Sequence, residues 1–322
     1  MSPPDGKVRP ALLLAIVGPT ATGKSGFALE AAERFGGEIL SCDSMAVYRG
    51  LDIGTAKPSP RDQQRVRHHL LDVAEPGDFF SAGAFRAAAQ ECLADMATRG
   101  KACVLVGGTG LYYRALTQGL ADLPPRDESL RERLSARMER RGAASLHRLL
   151  RHLDPPSATW IRPEDAVRTV RALEVRLLTG RRLSSWIQTT PFGSHGLTGV
   201  LHIGLTASRP VLYERIEARV DAMMAAGLLR EVEGLHRSGR LRGPARKAIG
   251  YGELAEYLED SCTLGEAVAR IKLRSRHLAK RQMTWFRKEI GVKWYYIDTR
   301  EAWKNDAMEF IERWRQETQQ RP

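Results

Sequence analysis

An α/β fold, in which a parallel sheet is flanked by helices and interrupted by an inserted all-helical domain, is predicted by three features of this 322-residue chain. Over roughly the first hundred residues, short apolar runs alternate with amphipathic stretches, as strands joined by crossover helices do. A glycine-rich turn at residues 18–25 leads straight from one such run into a helical pattern. Residues 126–182 then hold fourteen arginines, no lysine and eight acids, with helical spacing and no strand signal.

The candidate strands of the first part are Leu12–Val17, Glu38–Ser41, His69–Val73 and Cys103–Val106. Between the last two, Ser81 can cap a helix whose apolar positions Phe85, Ala88, Leu93 and Met96 recur at helical spacing until Gly100 ends it, which makes a βαβ crossover. Composition changes at Leu123-Pro124-Pro125, where the arginine-rich module begins. A loop rich in Ser, Thr, Gly and Pro, Ser184–Gly199, precedes another core-type strand at Leu201–Leu205, so the chain returns to its first domain. The last third reads as helical apart from Lys293–Ile297. The expected division is a catalytic core of residues 10–121 and 200–300, an insertion of 122–199, and a C-terminal helix or tail of 301–322.

Hydrophobic residues at 43% and charged residues at 27% are globular proportions. The longest strictly apolar run, Ala11 to Val17, is far too short to cross a bilayer, so a soluble protein without a membrane partner is expected. A net charge of +12 favours a polyanionic partner, a basic solubilising surface being the alternative. The four cysteines, Cys42, Cys92, Cys103 and Cys262, lie far apart without a C-x-x-C pair, which fits a reducing cytoplasm. Met1 to Arg9 reads as a frayed tail and not as a signal or transit peptide. The histidines show no zinc-ligand spacing.

Gly18-Pro19-Thr20-Ala21-Thr22-Gly23-Lys24-Ser25 matches G-x-x-x-x-G-K-[ST], between an apolar run and the helical pattern Phe27–Phe35. This makes the expected fold P-loop NTPase-like. Glycines let the backbone curl so that successive N–H groups point at phosphate oxygens, Lys24 neutralises charge, and the helix N-terminus adds its positive end. Ser25 would ligate Mg²⁺. The later strand ends Val106-Gly107-Gly108-Thr109-Gly110, where a nucleotide hydrolase would normally carry an acid; Asp72 is the substitute on offer. Asp43 follows the second strand, where the carboxyl ends of parallel strands gather ligands. There it can accept a proton from an acceptor group or serve as a turn residue.

Several segments together resemble the tRNA dimethylallyltransferases, also called tRNA isopentenyltransferases, of bacterial type. They are GPTATGKS (18–25), DSMAVYRGLDIGTAKP (43–58), HHLLDV (68–73), GGTGLYYRAL (107–116), RALEV (171–175), KAIGY (247–251) and LAKRQMTWFR (278–287). The resemblance implies that the P-loop holds the diphosphate of dimethylallyl diphosphate rather than ATP. It also implies transfer of the five-carbon group to N6 of the adenosine 3′-adjacent to the anticodon, in tRNAs reading codons that begin with U. Mg²⁺ is the implied cofactor, and no obligate protein partner is expected.

By the same resemblance Asp43 is the base on the adenine amino group, Thr20, Lys24 and Ser25 contact diphosphate and Mg²⁺, and Thr109 lies by the reacting centre. Arg215 and Arg219 read on spacing alone as a solvated helix face; the resemblance sets Arg219 against the diphosphate. Asp43, Ser44, Met45 and Ala46 match the segment touching tRNA. So do Val167, Arg168, Thr169, Val170 and Arg171 in the insertion, with Val167 where the family reads Gln, and Arg246, Lys247, Ala248, Ile249, Gly250 and Tyr251.

Arg270–Lys288 carries eight basic residues and no acid, and Arg270, Arg274, His277, Arg281 and Lys288 align along one helical stripe. Like charges so aligned suit RNA phosphates, a solvated face being the alternative. Trp285 and Phe286 read as core residues. An isopentenyltransferase acting on free AMP, ADP or ATP would share the site but has no need of the arginine-rich insertion. The P-loop is also compatible with a small-molecule kinase that uses ATP, or with a non-catalytic RNA-binding protein in which it is only a switch.

Overall fold

The computed structural model describes residues 10, 12–121, 123–189, 196–298 and 302–319. The tail read at Met1 to Arg9 therefore lies outside the described residues. Among those described, six strands form one sheet: β1 Leu13–Val17, β2 Gly37–Ser41, β3 His68–His69, β4 Ala102–Gly107, β5 Leu201–Thr206 and β6 Lys293–Tyr296. Their order is β3-β2-β4-β1-β5-β6, with every pairing parallel. All of β1 is buried, because helices cover both faces of a parallel sheet, and this explains its uninterrupted apolar run.

The Lys24–Arg34 helix lays Phe27, Ala28, Ala31 and Ala32 against Leu14, Ile16, Val104 and Ile203. Each large apolar side chain so buried contributes roughly 1.5–3 kcal/mol. The C-terminal helix Trp303–Gln319 adds Ala307, Met308 and Ile311 to the same cluster. The expected C-terminal helix or tail is thus a helix over Trp303–Gln319, and it packs on the core.

One strand is much shorter than expected. His69–Val73 reads as an apolar run, but Leu70 and Asp72 have φ of 61° and 55°, left-handed values that no strand accommodates, so β3 stops at His69.

The chain separates into two compact units, residues 1–116 with 198–322 and residues 117–197. The second unit thus starts earlier than the expected 122. It consists of helices Glu128–Arg141, Ala143–Leu153, Pro155–Trp160, Ala166–Thr179 and Leu183–Thr189 around Leu134, Leu146, Leu150, Leu173 and Val175. Asp127, Asp154 and Asp165 each accept from a backbone N–H of the first turn that follows, which fixes three helix starts. The Leu183–Thr189 helix takes up the start of the expected Ser184–Gly199 loop, of which residues 190–195 lie outside the described residues. No helix among the described residues is long and apolar enough to cross a membrane.

Candidate active site

The carboxyl ends of β1, β2 and β4 open onto a cleft of about 360 Å³. At the end of β1, Gly18 has φ +137°, and a Cβ there would lie 2.2 Å from Leu205 O, so only glycine lets the chain turn against β5. Gly23, left-handed at φ 79°, starts the Lys24–Arg34 helix, and Ser25 lies exposed at the cleft in its first turn. Lys24 is buried and its Nζ donates to Pro19 O at 2.6 Å; Thr22 Oγ1 donates to the same carbonyl at 2.9 Å. Burial, and then the nearby Arg219 charge, push the Lys24 ammonium down to about 7, with Asp43 opposing them.

Alternation along β2 and its extension turns Ile39, Ser41 and Asp43 toward this cleft. Asp43 Oδ1 accepts from Met45 N at 2.8 Å and Ala46 N at 3.3 Å. The turn role and the cleft-facing role read from the sequence therefore coexist on one side chain. Cys42 N donates to Val106 O at 2.8 Å and Thr109 N to Cys42 O at 3.2 Å, which binds the end of β4 to the Asp43 turn. Thr109 Oγ1 accepts from Ser44 N at 3.0 Å and donates to Ser44 Oγ at 3.3 Å. The Cys42 thiol donates to Thr109 O at 3.7 Å.

Arg219 enters from the Arg209–Ala225 helix and lines the cleft, while Arg215, four positions earlier, is exposed. Burial drives the Arg219 pKa down and Asp43 partly restores it. Neither Arg219 nor Lys24 forms an ion pair with any described acid. Two desolvated cations in one cleft, without a carboxylate on them, make a receptor for a small polyanion.

The family described as IPP transferase matches residues 46–289. The chain belongs to this family. It is 48% identical over 283 residues to the tRNA dimethylallyltransferase of Geobacter metallireducens, covering 88% of this chain and 91% of that protein. It is also 48% identical over 295 residues to that of Halorhodospira halophila, covering 90% and 94%. The crystal structure of the full-length tRNA isopentenylpyrophosphate transferase of Bacillus halodurans aligns over 96% of this chain and 98% of that one, with a TM-score of 0.71 and 38% identity. A eukaryotic dimethylallyltransferase captured acting on tRNA aligns over 96% of this chain and 80% of its own, with a TM-score of 0.80 and 25% identity. As an IPP transferase the chain is a transferase enzyme with a P-loop NTPase-like fold.

The remaining candidate residues of this IPP transferase separate by burial. In the insertion Val167 is 74% exposed and Arg168 is exposed, paired with Asp165 at 2.6 Å, while Thr169 and Val170 are buried. Arg171 donates to Glu174 at 2.5 Å and to Pro124 O at 2.7 Å. Ala248, Gly250 and Tyr251 are buried, so only Arg246, Lys247 and Ile249 of that segment present side-chain surface. The Tyr251 hydroxyl donates to Glu231 at 2.6 Å, and Glu231 also accepts the backbone N–H groups of Asp52, Ile53 and Gly54. Tyr251 thus supports the loop 52–58, which supplies Thr55, Ala56, Lys57 and Pro58 to the cleft wall.

On the Leu264–Phe286 helix, Arg270 and Arg274 are not free of acids as their own segment suggests. They pair with Glu256 and Glu253 of the Tyr251–Leu258 helix at 2.7 and 2.6 Å. Arg281 is exposed and forms no ion pair among the described residues. Glu231 and Gln282 also carry geometry here, and neither stands out by composition or spacing. For Gln282 the available signal was its place inside LAKRQMTWFR.

Proposed function

We propose that this chain transfers the dimethylallyl group of dimethylallyl diphosphate to N6 of the adenosine 3′-adjacent to the anticodon in tRNAs reading UNN codons. Diphosphate is the other product. The observation that carries the reading is that buried Lys24 and half-buried Arg219 line the same cleft as Asp43, neither in an ion pair among the described residues. The names of the relatives point to the same reaction.

The donor's diphosphate would lie in the P-loop, with Lys24 leaving Pro19 O for phosphate oxygen and Arg219 closing from the other side. As the allylic C–O bond breaks, negative charge gathers on the leaving oxygens, and fixed cations in a water-poor cleft stabilise it there most effectively. Among the described residues no group of three or more His, Cys, Asp or Glu can hold a metal ion. Ser25, at the cleft beside Lys24, fits a cation held chiefly by substrate phosphates, as Mg²⁺ usually is. When bound, Mg²⁺ would supply further charge neutralisation on the diphosphate.

Asp43 Oδ1 is engaged by two backbone N–H groups, which aim the carboxylate into the cleft and leave Oδ2 to take the proton from the adenine amine. Thr109 lies beside the same turn. The adenine is normally stacked in its loop and must be drawn out to reach Asp43. Arg168 of the insertion, the side chains of Arg246, Lys247 and Ile249, and the Leu264–Phe286 helix would hold the RNA, in the cytoplasm where tRNA is modified.

The test offers labelled dimethylallyl diphosphate and Mg²⁺ with an anticodon stem-loop in one tube and AMP in another. Label on the stem-loop is expected. Label on AMP alone would establish an adenylate isopentenyltransferase instead, and tRNA-stimulated ATP hydrolysis without transfer would establish a nucleotide switch.

A further inference from the structure

Gln282 takes no part in the chemistry above, yet its amide bridges two sides of the cleft. Oε1 accepts from Thr20 N at 2.8 Å, and Nε2 donates to Gly108 O at 3.1 Å. The partners fix the orientation of the amide, since one offers only a hydrogen and the other only a lone pair. Room for it exists because residue 108 is glycine: a Cβ there would lie 2.1 Å from Nε2.

We propose that Gln282 is a positioning residue for prenyl transfer, a clasp that sets the separation between the diphosphate cradle and the Asp43–Thr109 side of the cleft. The inference rests on the transfer reaction proposed above. The Thr20 N–H is turned to Gln282 and so is withdrawn from the phosphate cradle, while the Thr20 residue still lines the cleft. Gly108 O belongs to the residue before Thr109, whose hydroxyl holds Ser44 N next to Asp43. One side chain thereby ties the donor side to the acceptor side through two hydrogen bonds. Transfer between two separately bound reactants depends steeply on their spacing, and a misplacement of about 1 Å costs roughly a hundredfold in rate. An amide is the group that can accept and donate at once: Glu keeps the acceptor alone, and Met keeps neither.

The experiment compares Gln282→Met, Gln282→Glu, Gly108→Ala and the Gln282→Met/Gly108→Ala double variant in single-turnover transfer to a saturating stem-loop. Each single variant should lose roughly tenfold to a hundredfold in rate, with stem-loop affinity and melting temperature near wild type. Gly108→Ala displaces the clasp from its other end, so adding it to Gln282→Met should cost no more than about twofold further. A Gln282→Met rate within about threefold of wild type would overturn the proposal, as would losses that multiply in the double variant. A fall in RNA affinity and melting temperature matching the fall in rate would reduce Gln282 to a merely structural role. If the wild-type protein transfers no prenyl group, the functional reading fails, and amide hydrogen exchange at Thr20 still tests the clasp. That amide should be protected in the wild type and released in Gln282→Met; equal protection in both would show that no clasp exists.

Discussion

Cationic side chains are held away from water in two parts of this chain, and they are held in opposite ways. In the insertion, fully buried Glu174 receives Arg131 at 2.7 and 3.0 Å, Arg171 at 2.5 Å and the Asp127 N–H at 3.0 Å. Both arginines there share one carboxylate supplied by the same small unit. In the cleft, Lys24 leans on a carbonyl oxygen, Arg219 has no described acid within ion-pair distance, and the Arg219 charge raises the cost of charging Lys24. A buried charge already matched by its own chain is scaffold, because nothing is gained by presenting it to a ligand. Buried cations left unmatched are a receptor whose stabilising partner arrives from solution.

Asp43 is the acid that lies near the two cations without pairing with them. Asp43→Asn keeps the shape and loses the proton acceptor, so turnover should fall by roughly two to four orders of magnitude while stem-loop binding persists. Retention of more than about a third of wild-type turnover, with chemistry limiting, would remove Asp43 from the base role.

Next comes Lys24→Met. Transfer efficiency should drop by roughly two to three orders of magnitude, and the ligand-free protein should lose no stability, since an uncompensated buried charge has been removed. The pH dependence follows from the lowered pKa. Between about 7 and 10.5 the unfolded chain binds the Lys24 proton and the folded chain does not, so ligand-free stability rises with pH across that window. Diphosphate has the opposite preference, because it favours the ammonium, so its binding at about pH 8 should take up a proton. Calorimetry in buffers of different ionisation enthalpy reads this uptake, and an unchanged uptake in Lys24→Met would exclude Lys24 as its source.

Glu174→Gln should do the reverse of Lys24→Met. Leaving two arginines beside a neutral amide in a buried place costs about 3 kcal/mol of stability, read by denaturant unfolding. Transfer at saturating stem-loop should stay within a few fold of wild type as long as the protein is folded. A stable Glu174→Gln protein with abolished transfer would make the insertion's charges functional and erase the distinction.

The smallest effect concerns the basic helix. Arg281→Glu should lower the slope of log affinity for stem-loop against log salt by roughly 0.7 to 0.9, as the loss of one phosphate contact does. Arg270→Gln, whose guanidinium is already occupied by Glu256, should lower it less. Equal changes would mean that intramolecular pairing does not decide which arginines meet RNA.

What the sequence conveys is what lies close along the chain. The P-loop, the cap at Ser81, the turn at Asp43 and the burial of Phe286 depend on spacings of a few residues, and they are legible. The end of β3 at His69 is not, because Leu70 and Asp72 look like strand residues by composition and only their left-handed φ reveals the turn. The helical spacing of Arg270 and Arg274 is real, but their glutamate partners belong to the neighbouring helix, invisible to periodicity. Tyr251 reads as part of an RNA-contacting segment, and its support of loop 52–58 through Glu231 is not visible in that reading. Gln282 meets Thr20 across 262 positions of sequence, a separation over which local pattern carries nothing.

The thiol of Cys42 has a bearing on chemical selectivity. Allylic diphosphates alkylate nucleophiles, and this sulfur stands one residue from the proposed base. Burial, reinforced by the Asp43 charge, holds its pKa well above the ordinary thiol value, and its hydrogen points to Thr109 O. Since the thiolate is the reactive form of sulfur, Cys42 is a silent neighbour of an electrophile. With the proposed donor bound, Cys42 would be protected from alkylation, and iodoacetamide should mark the partly exposed Cys92 and Cys262 while passing Cys42 by.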